Sequence, residues 1–400
     1  MTANLPDFTL SDPYVTKTVT VGDMYAHRSG LPAEAGDILE TLGFSQEQIL
    51  QRLRYQKLNP FRISYGYANY GITSGAESVA AAAGKDWPTL SQDDLYTPLG
   101  MTTTSSRFRD YVSRSDRAWT HVPVNGKWTP RYVRDADPQS PAGGVSSSVD
   151  DLAKWMVMVL HEGTGANGAK ITTPAALTPA VTAQIVASPA QVPAARSGFY
   201  GFGFDVTTEG SGRVEISHSG AFSAGAGTNY VLIPSLDLGI VTVTNALPIG
   251  VAEALNQEFA DLVQYGEPRT DWYDVYRQAL GQLVAPTGRY VGKQPPTDPK
   301  PAGPAAAYVG IYRNDYYGYL RIEGNDGDLR LVLGPAQVTY SLRHWDAGVY
   351  VFEPTGEGQN AGSVSAANFT RSGSAGASAV TVEYLDDDGL GTFERVPGTR

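Results

Sequence analysis

From about Tyr200 onward the apolar residues of this chain stop recurring at helical spacing and begin to alternate, and that change of period constrains the fold more than any other feature. Before it, Ser/Thr-x-x-Asp/Glu/Gln boxes mark helix starts at Thr20 with Asp23, Ser45 with Gln48, Ser74 with Glu77, Ser91 with Asp94 and Ser148 with Asp151. In each box the first side chain caps free backbone N–H groups and the third residue after it reaches back. The last box precedes Leu152, Trp155, Met156, Val159 and Leu160, which share one helical face. After the change, residues 202–207, 213–218, 228–233 and 239–244 read as antiparallel strands, followed by helices at 251–264 and 271–284. Strands between flanking helices predict one layered α/β (α+β) domain over residues 1–285.

Prolines at 286, 295, 296, 299, 301 and 304 exclude a helix or a central strand and predict a linker over 286–304. Beyond it, short strands are expected at 308–312, 319–322, 329–333, 338–342, 349–352, 379–384 and 392–396. Asn325-Asp326-Gly327 and Asp386-Asp387-Asp388-Gly389 are turn signals between them. The reading is a small antiparallel β-barrel or sandwich over 305–400.

A formal charge of −11 without any basic run disfavours nucleic acid, whose phosphates demand positive patches, and leaves a small-molecule or peptide substrate as the expected partner. The absence of cysteine excludes disulfides and thiolate metal sites. The five histidines, His27, His121, His161, His218 and His344, have no metal-ligand spacing, and no dinucleotide or P-loop motif occurs, so neither metal nor cofactor is expected. No apolar stretch approaches the roughly 18 residues of a membrane span. Residues 1–10 have neither the basic start nor the apolar core of a secretory signal. The paired acids Asp150 and Asp151 fit the first turn of a helix, where the helix dipole favours carboxylates, better than a glycosidase site.

Against that background, five segments stand out. They are His27-Arg28-Ser29-Gly30-Leu31-Pro32, Tyr65-Gly66-Tyr67-Ala68-Asn69-Tyr70-Gly71, Pro98-Leu99-Gly100-Met101, Ala142-Gly143-Gly144-Val145 and His218-Ser219-Gly220-Ala221-Phe222. In this order and spacing they resemble the penicillin-recognising serine hydrolases, the class C β-lactamase and DD-peptidase-like family, over about residues 10–265. The 286–400 region looks like a domain appended in one branch of that family. The resemblance implies a β-lactamase/transpeptidase-like fold and hydrolysis of amide or ester bonds through an acyl-enzyme.

Carried over position by position, the resemblance makes Tyr67 the proton-transferring tyrosine, whose role requires a phenol acidified by neighbouring cations. It makes Asn69 the amide that binds the acyl side chain. His218 and Gly220 share parity on one strand and so face one side together. The resemblance assigns His218 to contact with a substrate carboxylate or carbonyl, and the Ala221 N–H to the oxyanion. Histidine at 218, in place of a fixed lysine charge, points toward peptidase, aminopeptidase and esterase relatives rather than β-lactamases. His27 is expected to brace the Ser29–Pro32 turn.

One element of the pattern is missing. The residues three before the eight lysines are Tyr14, Arg54, Ala82, Val124, Asp151, Asn167, Tyr290 and Thr297, so no Ser-x-x-Lys occurs in the 400 residues. Family chemistry places that serine one helical turn before the lysine that helps to deprotonate it. In relatives the pair lies further upstream of the His27 motif than the 26 residues present here, so the β-lactamase-like domain is expected to be N-terminally truncated. Three readings remain open: a serine hydrolase inactive without its nucleophile segment, a non-catalytic binder of peptides or D-amino-acid derivatives, and an assembly protein using the β domain as its interaction surface.

Overall fold

The four strands expected after Tyr200 join two further strands ahead of them in a six-stranded antiparallel sheet, in a computed structural model that describes residues 1–356, 359–371 and 376–398. The strands are β3 (Ile185–Ser188), β4 (Gly198–Tyr200), β5 (Asp205–Thr208), β6 (Val214–Phe222), β7 (Ala226–Ile233) and β8 (Leu238–Thr244), in sequential order. A hairpin, β1 (His121–Val124) with β2 (Lys127–Pro130), stands apart from the sheet order. The chain divides into two compact units, Met1–Ala35 with Leu58–Val284, and Gly36–Lys57 with Ala285–Arg400.

In the first unit the sheet is the middle layer. Ile216 and Leu232 point to one face, where they meet Met156 and Val159 of helix α3 (Val149–Leu160) and Leu99 and Met101. Val231 and Ile233 point to the other and meet Ala260 of helix α4 (Val251–Tyr265), with helix α5 (Trp272–Gly281) packed on α4. Alternate residues of one strand therefore serve two different cores, as period-two alternation in a doubly covered sheet requires.

Thr20–Asp23 and Ser45–Gln48 form reciprocal capping boxes, the first opening helix α1 (Val21–Tyr25). Ser148 accepts a hydrogen bond from Asp151 N at 3.3 Å and opens α3. Ser74 opens nothing: helix α2 runs Asn69–Ala83, and Ser74 is buried inside it, donating to the Tyr70 carbonyl at 2.7 Å. Such back-bonding satisfies a hydroxyl within a helix and so removes its capping role. Ser91 likewise opens nothing: it donates to the Trp87 carbonyl at 2.9 Å inside a helical run, Trp87–Ser91 continued by Gln92–Tyr96, whose cap is Asp86 accepting from Thr89 N at 2.7 Å, with Pro88 in the first turn.

The second unit contains a closed eight-stranded antiparallel barrel, so of the two architectures expected for residues 305–400 the barrel is present. Its strands are β9 (Gly310–Asn314), β10 (Gly318–Asn325), β11 (Asp328–Leu333), β12 (Val338–Asp346), β13 (Val349–Phe352), β14 (Ser365–Arg371), β15 (Ala377–Val382) and β16 (Thr392–Arg395). Asp326-Gly327 forms the two-residue β10–β11 turn, with Gly327 at φ 86°. The proline-rich 286–304 stretch belongs to this unit and is tied to it by Thr287 N to Ser363 Oγ at 2.9 Å, Lys300 N to Asp346 at 2.7 Å, and Tyr290 against Trp345 at 4.7 Å. Residues 36–57 also belong here, where Leu39, Leu42, Ile49 and Leu53 are fully buried.

Candidate active site

The site is assembled from a fully buried carboxylate outward. Asp23, in the first turn of α1, accepts from Arg28 Nε at 2.8 Å, Arg62 Nη2 at 2.9 Å and Thr20 Oγ1 at 2.8 Å. Burial alone would raise its pKa, but the hydrogen bonds from Arg62, Arg28 and Thr20 outweigh it and hold the group at about 2. The two arginines tie residues 58–66 against the first motif. The backbone continues the tie through Asn59 N to Gly30 O at 2.7 Å, Arg62 N to Arg28 O at 2.9 Å and Gly66 N to His27 O at 2.9 Å. Gly66 is required by proximity, since a Cβ there would lie 2.4 Å from the Leu31 carbonyl oxygen.

This arrangement delivers His27 beneath the second motif. The ring is buried at 2 % exposure, and Nδ1 accepts from the Ala68 N–H at 3.1 Å. Ala68 is the N-cap of α2 and has no side-chain cap of its own, so the imidazole satisfies a backbone donor at that helix end. Accepting at Nδ1 places the proton on Nε2, which is buried without a hydrogen-bond partner. Burial, and secondarily His218, push its pKa down to about 3, so the ring is neutral. The bracing shown for its side chain is directed at the second motif.

Tyr67 and His218 come together. Their ring centroids are 6.0 Å apart, and the His27 ring lies 4.3 Å from that of Tyr67, tilted by 40°. Asn69, the first residue of α2, follows one residue after the braced Ala68. His218 lies on β6 opposite Tyr230, and Gly220 opposite Thr228, so the shared parity expected for 218 and 220 is present. Ser219 turns the other way, accepting from Asn229 Nδ2 at 3.1 Å, while Asn229 itself is held by Asn256 of α4 at 2.6 Å. A Cβ at Gly220 would lie 2.5 Å from Thr228 Oγ1, which explains glycine there.

Strand β5 pairs with β6 only over Val214–Ser217. From His218 to Phe222 the flank of β6 away from β7 has no partner strand among the described residues, so alternate backbone N–H groups there are open to a ligand. Ala221, exposed, lies within this stretch. The fourth motif reaches its end: a Cβ on Gly143 would lie 3.2 Å from the Phe222 ring, and Arg134 covers that ring at 4.2 Å. The third motif does not join. Leu99 and Met101 lie in the core beside α3, Gly100 takes φ 70° at a helix end, and its carbonyl accepts from Lys154 Nζ at 2.6 Å.

Tyr200, on β4, was not singled out by any motif. Its hydroxyl is 3.0 Å from His218 Nε2, and its ring lies 5.0 Å from His27, 5.6 Å from Tyr65 and 6.5 Å from Tyr67. The signal that places it is sheet register, Tyr200 opposite Asp205 and Asp205 opposite Ser217, which no local spacing encodes. Among the described residues no group of three or more His, Asp or Glu could hold a metal ion, and no helix is long and apolar enough to cross a membrane. What the cluster offers chemically is a phenol, a histidine and an open strand flank around one space, a set of groups able to hold and polarise a carbonyl.

A family model described as Beta-lactamase matches residues 2–264. The unguisins hydrolase ungD of Aspergillus violaceofuscus (strain CBS 115571) is 26% identical over 368 residues, covering 83% of this chain and 64% of that protein. Penicillin-binding protein 4 of Amycolatopsis lactamdurans is 26% identical over 320 residues, covering 78% of this chain and 76% of that protein. The octameric penicillin-binding protein homologue from Pyrococcus abyssi superposes with a TM-score of 0.52 at 18% identity, covering 96% of this chain and 82% of that one, a likeness of fold. The chain spans 64% and 59% of the length of the two unguisins hydrolases that it matches. With two thirds of its length accounted for by that model, the chain belongs to the beta-lactamase family of serine hydrolases.

Proposed function

We propose that this chain carries the acyl-recognition half of an amide- or ester-hydrolysing site, with Tyr67 as the proton-transfer group, Asn69 and His218 as ligand contacts, and Gly220 and Ala221 as the strand edge that meets the oxyanion. The observation that supports it is the convergence of two motifs 151 residues apart, Tyr67 and His218, at a 6.0 Å ring separation beside an unpaired stretch of β6. The shared hydrolase names of relatives agree with the reaction class. Covalent turnover also needs a nucleophile, and no Ser-x-x-Lys lies within these 400 residues to supply it. In this reading the chain as given binds and orients the acyl group, and hydrolysis follows when that motif is present.

The test has two arms. The 400-residue chain treated with a fluorophosphonate probe is expected to show no added mass, and a seryl adduct mapped by peptide mass spectrometry overturns the dependence on the absent motif. A Ser-x-x-Lys-bearing segment joined ahead of residue 1 is expected to create esterase activity that falls by about 10²-fold or more in Tyr67→Phe, as for loss of a general base. Near-normal turnover in that variant removes Tyr67 from its role.

The lack of Ser-x-x-Lys favours one further reading, a binder of peptides or D-amino-acid derivatives without turnover. It is distinguished by the second arm, since a binder would gain no esterase activity from the added segment.

A further inference from the structure

Tyr200 is 1 % exposed, and burial, then the neighbouring Tyr67, Tyr65 and Asp205, raise its pKa well above the usual phenol range, so its O–H keeps its proton. Among the described residues that hydroxyl has one hydrogen-bond partner, His218 Nε2 at 3.0 Å. A buried O–H left without an acceptor is costly, so the hydroxyl donates, and Nε2 must be the unprotonated nitrogen that accepts. In the uncharged form of the ring the proton is then on Nδ1. This nitrogen has no partner among the described residues and, unlike His27 Nε2, is not sealed from solvent. The groups around His218 are His27, Tyr67 and Tyr200 on its own side, with Asp205 acting on it electrostatically from β5.

We propose that Tyr200 is a positioning residue that fixes His218 as its Nδ1–H tautomer, so that the site presents one neutral, directed N–H donor and selects an uncharged acyl carbonyl, of an amide or ester, over a carboxylate. The tautomer stands on the Tyr200 hydrogen bond alone, whereas the ligand preference rests on the reading of Tyr67 and His218 as an acyl site. A tyrosine that merely filled space would leave the tautomer unset. Here the hydroxyl, not the ring, carries the effect.

Histidine-selective ¹⁵N NMR of the full chain decides the first half, with His218 assigned through His218→Gln. The expected spectrum has a protonated Nδ1 and an unprotonated Nε2 at His218, collapsing toward a mixed population in Tyr200→Phe while the His27 signals keep a protonated Nε2. A protonated Nε2 at His218 in the unaltered chain overturns the proposal without any variant having to fold. For the second half, an N-acetyl dipeptide amide and the same dipeptide as free acid are titrated against the His218 signals. The amide is expected to bind more tightly, and to lose about tenfold in Tyr200→Phe, the scale of one hydrogen bond. Equal or tighter binding of the free acid overturns the preference. If neither probe shifts His218, the acyl-site assignment falls, and the measured tautomer still reports on Tyr200.

Discussion

Asp23 has no part in the proposed chemistry, yet its pairs with Arg28 and Arg62 tie residues 58–66 to the first motif. Its carboxylate, depressed from 3.8 to about 2, binds fewer protons in the fold than in the unfolded chain between those values. The sign follows: its stabilisation is present above pH 4 and is lost as the pH falls toward 2, and Asp151, also held at about 2, adds to the same slope. Asp23→Asn is expected to cost about 2–3 kcal/mol at neutral pH, below the full cost of breaking a buried pair because Arg62 keeps contact with water. It should also flatten the acid limb, as read by urea melts at pH 7 and pH 3. An unchanged pH 3 to pH 7 difference would show that Asp23 is not the group responsible. At this scale the sequence was legible where the clustered residues are contiguous, as in the His27–Pro32 and Tyr65–Gly71 segments, which the fold packs together. Tyr200 was not legible, because its partner lies 18 residues away and is brought to it by strand register.

Elements were legible in proportion to how many branched and apolar residues they carry. Strands β6, β7 and β8 are rich in them, β7 and β8 on both faces, and appear where expected, β6 extending four residues past the expected end, to Phe222. Strand β14 was not anticipated: Ser365-Ala366-Ala367-Asn368 offers small residues with no alternation, although Ala366 and Ala367 are both fully buried and the strand closes the barrel. Small side chains buried on both faces of a strand are a packing requirement that only the partner strands reveal. On the α4 side of the sheet, β6 places Glu215 on the wall of a cavity of ≈ 810 Å³, where Gln257 Nε2 donates to both carboxylate oxygens at 3.0 Å. Burial, with Glu209 adding to it against the opposing Gln257 bond, raises its pKa from 4.5 to about 7. Here the sign is reversed: the folded state holds the proton more tightly, so stability is full below pH 4.5 and falls as the pH rises through 7. Glu215→Gln is expected to remove that slope and to stabilise the protein by on the order of 2 kcal/mol at pH 8. Denaturation midpoints that diverge equally at pH 4 and pH 8 would contradict this account.

At the level of the whole molecule, the division into an α/β unit and a β barrel follows from composition and period, but the membership of residues 36–57 does not. Their helices look like any others of the first half, including the Ser45–Gln48 capping box. Only the tertiary record joins them to the barrel: Gly36 N donates to Tyr316 Oη at 2.9 Å, Ala336 N to Leu42 O at 3.0 Å, and a Cβ on Gly43 would lie 2.6 Å from that of Ala336. The chain accordingly passes between the units at three peptide bonds, Ala35–Gly36, Lys57–Leu58 and Val284–Ala285. During synthesis, a segment made near the start must wait for the last hundred or so residues before its apolar side chains find their seat, so the barrel is completed last however early its first piece emerges. The same threading means that cutting the backbone does not part the molecule. After engineered cleavage at Val284–Ala285 the two fragments should co-elute in native buffer and separate only in denaturant, whereas a barrel fragment eluting alone would show that residues 36–57 contribute no hold. The insertion thus works as a dowel carried by one piece and glued into the other.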